Sequence, residues 1–127
     1  MIRTVLVIDD DPLVCMLVEH KLTARGLRVI TASDGAAGFE RARREPPDLI
    51  ILDMMMPILD GRRVLQQIHA DPALKDIPVI MLTARRSEGD VVDALELGAA
   101  DYINKPFSPE ELAARVTRLL PVRVTGT

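Results

Sequence analysis

The stretch Val5-Leu6-Val7-Ile8-Asp9-Asp10-Asp11 decides the fold when it is set beside Leu49-Ile50-Ile51-Leu52-Asp53. In each, a continuous aliphatic run ends abruptly on carboxylate. A strand that is apolar on both faces belongs between two layers, as in a parallel sheet covered by helices. In such sheets ligands bind beyond the carboxyl ends of the strands, where the strand order reverses. Two more runs follow the pattern: Val79-Ile80-Met81-Leu82 ends in Thr83, and Tyr102-Ile103-Asn104 ends in Lys105. The four tips offer a carboxylate cluster, a further carboxylate, a hydroxyl and an ammonium. That set can hold a divalent cation and a phosphoryl group.

Working outward, short apolar runs alternate with helical patterns along the whole chain. The patterns predict strands over 4–8, 28–31, 49–52, 79–82 and 101–104, and helices over 12–25, 35–44, 61–70, 88–97 and 109–120. Asp11-Pro12 reads as an N-cap followed by a first-turn proline, and Gly26 follows the end of that helix. Ser108-Pro109-Glu110-Glu111 reads as an N-cap, an N1 proline and a capping-box Glu. Leu13, Met16, Leu17 and Leu22 are expected to form the apolar face of the first helix. Leu112, Val116, Leu119 and Leu120 are expected to form that of the last. Five strands alternating with five helices make an α/β, doubly wound, five-stranded parallel sheet. The strand order 2-1-3-4-5 would set Asp9, Asp10 and Asp53 side by side at the switch point. Residues 1–121 are read as one domain, and 122–127 as a tail or the start of a linker.

Composition narrows the function. The 127 residues suit one domain. Trp is absent, and only Phe39, Tyr102 and Phe107 are aromatic, so the stacking platforms of a single-strand nucleic-acid binder are missing. The formal charge of −3 argues against a basic nucleic-acid footprint. Arg41, Arg43, Arg44, Arg62, Arg63, Arg85 and Arg86 are spread along the chain and read as solvated helix faces. The single Cys15 excludes an internal disulfide and fits a reducing cytosol. His20 and His69 lack the spacing of paired metal ligands. No apolar run approaches the roughly 20 residues that span a bilayer. The expectation is a cytoplasmic protein that binds neither membrane nor nucleic acid directly.

Acids converging on one sheet edge repel one another and raise one another's pKa. A bound Mg²⁺ relieves that repulsion; it prefers oxygen ligands and takes one or two carboxylates together with water and phosphate oxygens. Asp11 serves as a cap, and three acids are more than a cap needs, so the cluster reads as a cation site. Asp53 stands alone at its strand end, and a carboxylate there can attack a phosphoryl donor to give an acyl phosphate. Thr83 can donate a hydrogen bond to a phosphoryl oxygen. Pro106 fixes the chain just after Lys105 and helps to aim its ammonium.

These stretches carry a resemblance. VLVIDDDPL, TASDG, PDLIILDMMMPILDG, IPVIMLTA and LGAADYINKPFSPEEL, in this order and spacing, resemble the receiver domains of two-component response regulators. The resemblance implies the flavodoxin-like (βα)5 fold and a signalling module rather than a turnover enzyme. It makes Asp53 the phosphoacceptor and Asp10 a direct ligand of Mg²⁺ (Mn²⁺ able to substitute), with Asp9 acting mostly through water and the Met55 backbone carbonyl as a further ligand. It makes Thr83 the switch hydroxyl, Tyr102 the switch aromatic, and Lys105 the partner of the phosphoryl group, with Lys105–Pro106 a cis peptide bond. A sensor histidine kinase or phosphotransfer protein would be the donor. An output domain or partner would read the face of the fourth helix, fifth strand and fifth helix. Asp101 and Arg115 match a charge pair used across a phosphorylation-dependent homodimer, although Ala100, Val91 and Pro121 depart from that pattern. Two other readings stand beside this one. A docking scaffold would need no phosphorylation. A phosphatase of the haloacid-dehalogenase type would use Asp9-Asp10-Asp11 as its Asp-x-Asp, but Leu13 stands where Thr or Val is expected.

In that family the residues two beyond the acceptor and two beyond the Thr set the lifetime of the aspartyl phosphate. Here they are Met55 and Arg85, both bulky and neither suited to orienting an attacking water. Slow self-hydrolysis is expected. Combining Met55→Asn with Arg85→Glu is expected to speed loss of the phosphoryl group, followed by timed intact-mass analysis; an unchanged decay would refute the assignment.

Overall fold

The computed structural model describes residues 2–83 and 98–120. Every residue of β3 (Leu49–Asp53) and β4 (Val79–Thr83) is buried, as strands apolar on both faces require. With β1 (Thr4–Ile8), β2 (Arg28–Ala32) and β5 (Asp101–Asn104) they form one parallel sheet in the order β2-β1-β3-β4-β5. The predicted strands agree with the observed ones to within one residue at each end.

Side-chain alternation along the strands divides the core in two. Leu6, Ile8, Ile50, Leu52 and Met81 face α2 (Gly35–Arg44) and α3 (Gly61–Ala70), where Ala42, Val64, Leu65 and Ile68 meet them. Val5, Val7, Leu49, Ile51, Ile80 and Leu82 face α1 (Pro12–Ala24) and the C-terminal helix (Pro109–Leu119), meeting Val18, Leu22, Leu112, Ala113 and Val116. Each of these helices starts on a side-chain cap: Asp11, Asp34, Asp60 and Ser108 each accept a hydrogen bond from a first-turn backbone N–H. Gly26, at φ 83°, turns the chain out of α1 toward β2.

The C-terminal helix buries Leu112, Val116 and Leu120, with Leu119 packed at the edge, as expected. The first helix departs from expectation. Leu13 is 72% exposed and Met16 64%, and Leu17 is exposed too; only Leu22 of the expected face is buried. The buried stripe is Val18 and Leu22, flanked by Val14 and Cys15. Both stripes of α1 are apolar, so hydrophobic period alone does not choose between them. The Asp11 cap and the Cys15 thiol, which donates to the Asp9 carbonyl at 3.4 Å, hold the rotation that turns Leu13, Met16 and Leu17 to solvent. The expected helix over 88–97, Arg85 and Val91, and the tail over 122–127 with Pro121 before it, lie outside the described residues.

Candidate functional site

The site is built by the strand ends. Asp9 follows β1 directly, its N–H donating to Ala32 O at 3.1 Å; Asp53 ends β3; Thr83 ends β4; Lys105 follows β5, its N–H donating to Thr83 O at 2.7 Å. The connections from β1 and β3 leave toward opposite faces of the sheet, so a crevice opens between these two strands. Carboxylate oxygens of Asp9, Asp10 and Asp53 lie within 4.8 Å of one another there. Asp9, Asp53 and Thr83 are buried, whereas Asp10 reaches solvent.

Lys105 Nζ reaches across this crevice. It stands 2.9 Å from Asp9 Oδ2 and 3.5 Å from Asp53 Oδ2. The Lys105–Pro106 peptide bond is cis. The other Asp9 oxygen accepts the Asp11 N–H at 2.9 Å, and Asp53 Oδ1 accepts the Met55 N–H at 3.1 Å. Sequence reasoning had overlooked that second bond, as well as the fit of Gly61. A Cβ on Gly61 would lie 2.3 Å from the Asp53 carbonyl oxygen, while the Gly61 N–H donates to Met54 O at 3.0 Å. Asp60 caps α3 through the Arg63 N–H, and neither that cap nor the close approach of Gly61 had been singled out from the sequence.

One ammonium does not offset three carboxylates. Burial, followed by the charge on Asp9, pushes the Asp53 carboxyl up to about 7, against the opposing pull of the Met55 N–H and of Lys105. Burial works against the Lys105 ammonium, but its contacts with Asp9 and Asp53 outweigh that and hold its pKa above the ordinary value. The Cys15 thiol, on the wall behind Asp9, is raised to about 11 by burial and by the charges of Asp9 and Asp11, so it is a poor nucleophile. The clustered oxygens are hard donors with negative charge to spare. They suit a hard divalent cation of the Mg²⁺ type and not a soft, thiolate-seeking metal.

Two neighbouring features complete the surroundings. A groove of ≈ 430 Å³ runs beside Lys105, lined by Asp11, Leu13, Val14, Leu17, Pro106 and Phe107. On β5, Tyr102 is partly buried against the α2–α3 side of the core. Asp101 pairs within its own chain: Arg115 Nη1 lies 2.8 Å from its carboxylate and Arg118 Nη2 3.5 Å, and Arg115 also donates to Tyr102 O at 3.3 Å. Arg118 had not been singled out from the sequence.

Fold and edge together define a doubly wound α/β domain with an acidic crevice, crossed by one ammonium, at its switch point. The family model of the response regulator receiver domain matches residues 5–117, and the chain belongs to that family. It is 46% identical over 118 residues to the alkaline phosphatase synthesis transcriptional regulatory protein PhoP of Bacillus subtilis (strain 168), covering 93% of this chain and 48% of that protein. It is 47% identical over 116 residues to a probable transcriptional regulator ycf27 of Guillardia theta, covering 91% and 44%. The chain spans about half the length of these relatives. The solved structure of the Vibrio cholerae chemotaxis protein CheY4 superposes with a TM-score of 0.90 at 31% identity, covering 94% of this chain and all of that one. The chain is therefore a two-component signalling domain and not a metabolic enzyme, which sets the phosphatase reading aside.

The raised Asp53 has a consequence for stability. Its carboxyl ionises near its ordinary 3.8 in the unfolded chain and near 7 in the fold, so between those values the folded state holds more protons. Without divalent cation, stability is expected to fall as pH rises from about 4 to about 7 and to level off above. Asp53→Asn removes the buried charge. It is expected to be more stable than wild type by about 1–3 kcal/mol at pH 8, with no gain near pH 4, as read by urea unfolding in EDTA.

Proposed function

We propose that the chain is a phosphorylation switch in which Asp53 accepts a phosphoryl group from the phosphohistidine of a sensor histidine kinase or phosphotransfer protein. The observation that carries the reading is the Lys105 ammonium, 2.9 Å from Asp9 and 3.5 Å from Asp53, beside a carboxylate held by the Met55 N–H. The Asp53 oxygen attacks phosphorus, the P–N bond to the donor imidazole breaks, and an acyl phosphate forms as the electron pair returns to nitrogen. Lys105 neutralises charge on the transferring group, and the Met55 N–H keeps the carboxylate oriented, so catalysis is positioning plus electrostatics. Asp10, Asp53 and the Met55 carbonyl would hold Mg²⁺, or Mn²⁺ in its place, with Asp9 acting mostly through water; the bound ion supplies further positive charge against the phosphoryl oxygens.

The new charge on Asp53 draws Thr83 toward it, Tyr102 follows, and the face around β5 and the C-terminal helix changes shape for an output domain or partner. A homodimer using Asp101 and Arg115 across that face would first have to exchange the ion pairs each chain now makes internally. The relatives named as transcriptional regulators support an output in gene control, exerted through other parts of a longer protein or through a partner. Residues 1–121 would form the receiver and 122–127 lead away from it. No helix among the described residues is long and apolar enough to cross a membrane, and a cytoplasmic setting fits a kinase donor.

Acetyl phosphate replaces the protein donor in the test. Intact-mass analysis is expected to find one added phosphoryl group that requires Mg²⁺, is lost in Asp53→Asn, and forms roughly a hundredfold more slowly in Lys105→Ala. Labelling that persists in Asp53→Asn would refute the assignment of the acceptor.

A further inference from the structure

The first helix turns an apolar stripe to water. Leu13, Met16 and Leu17 are exposed, and so are His20 and Ala24 beyond them. Leu13, Leu17, His20 and Ala24 are spaced by four, three and four residues, the spacing of a seam along which one helix lies against another. The opposite stripe of α1, through Val18 and Leu22, already covers the sheet, so the outer seam is surplus to the fold of a single chain. Leu13 and Leu17 also line a groove with Pro106 and Phe107, which carries the apolar surface past the edge of the helix. Aliphatic side chains grouped in this way mark a contact with another molecule.

The charges at the two ends of the seam identify the occupant. Asp10 and Asp11 stand at its amino end, and Lys21 and Arg25 at its carboxyl end. A helix with opposite signs at its two ends is complementary to itself when two copies lie antiparallel, because the acids of each then meet the bases of the other. A parallel pair would set acid on acid and base on base. With the two-fold axis midway between Leu17 and His20, the antiparallel pair sets Leu13 of one copy against Ala24 of the other, a large side chain against a small one. It also sets Leu17 against His20 and brings Asp11 beside Arg25. Lys21 and Arg25 each contact Glu110 of their own chain. The Arg25 pair, at 3.6 Å between two largely exposed groups, is weak enough to be shared.

We propose that the outer face of α1 is the contact by which two copies of this chain pair, antiparallel about a two-fold axis midway between Leu17 and His20. The pairing does not depend on Asp53 accepting a phosphoryl group, and it uses neither Asp101 nor Arg115. The contact is isologous, so it closes at two copies and does not propagate. One helix face from each copy is a small interface, so the dimer is weak and fills at roughly tens to hundreds of micromolar chain.

Sedimentation velocity on the full 127-residue chain, from roughly 5 to 500 μM, is the test. Wild type is expected to rise from the mass of one chain, 14.0 kDa, toward twice that. Leu17→Lys and Ala24→Glu change exposed positions, so each is expected to keep Tm within about 3 °C of wild type. Each places a charge opposite a residue that does not accommodate it, and is expected to raise the dissociation constant at least about tenfold. The order of the helices is read by cysteine cross-linking in a Cys15→Ser chain. Leu13→Cys combined with Ala24→Cys is expected to give a covalent dimer under mild oxidation, and either change alone to give little. Residues 13 and 24 stand roughly 16 Å apart along one helix, whereas a disulfide needs Cα atoms within about 7 Å. A wild type that stays monomeric over the whole range would overturn the pairing. So would association that both Leu17→Lys and Ala24→Glu leave unchanged. Ready cross-linking by Leu13→Cys alone would overturn the antiparallel order.

Discussion

The ion pairs of Lys105 with Asp9 and Asp53 are the constraint on which the rest of the site depends. The ammonium is brought there by β5, the carboxylates by β1 and β3, and β4 lies between β3 and β5 in the sheet. Three strand ends must therefore stay in register for one charge to meet two. The arrangement is also incomplete, because three clustered carboxylates face a single ammonium and the Asp53 carboxyl is pushed up to about 7. That imbalance is what makes the crevice receptive to added positive charge, and without a divalent cation it costs the fold stability as pH rises from about 4 to about 7.

Much of this was legible in the sequence, for identifiable reasons. Strands buried on both faces cannot alternate polar with apolar, so Val5–Ile8 and Leu49–Leu52 announced a parallel sheet, and the acids that end them marked its functional edge. Helix starts were equally plain, since Asp11-Pro12 and Ser108-Pro109 leave few other conformations open to the chain. The strand order came by analogy with flavodoxin-like sheets and not from the residues themselves, and it brought Asp9, Asp10 and Asp53 together.

What stayed hidden depended on rotation or on backbone. The sequence of α1 offers two apolar stripes, and the more obvious one, through Leu13, Met16 and Leu17, is the one that faces water. The Met55 N–H that holds Asp53 is a main-chain group with no signature in residue type. Arg118 joins Arg115 on Asp101 only because the C-terminal helix lies across the start of β5, a packing relation that spacing alone does not reveal. The residues turned outward near the crevice are thus the ones local pattern described least well, consistent with their serving contacts the chain does not make with itself.

The most direct measurement of the central claim is a pH titration of the Asp53 carboxyl carbon by NMR in ¹³C-labelled protein, with and without Mg²⁺. The account predicts a midpoint near 7 in EDTA that moves several-fold or more in acidity toward ordinary carboxylate behaviour when Mg²⁺ is added. A midpoint near 4 that Mg²⁺ leaves in place would contradict it, because Asp53 would then share neither the charge imbalance nor the cation with Asp9 and Asp10.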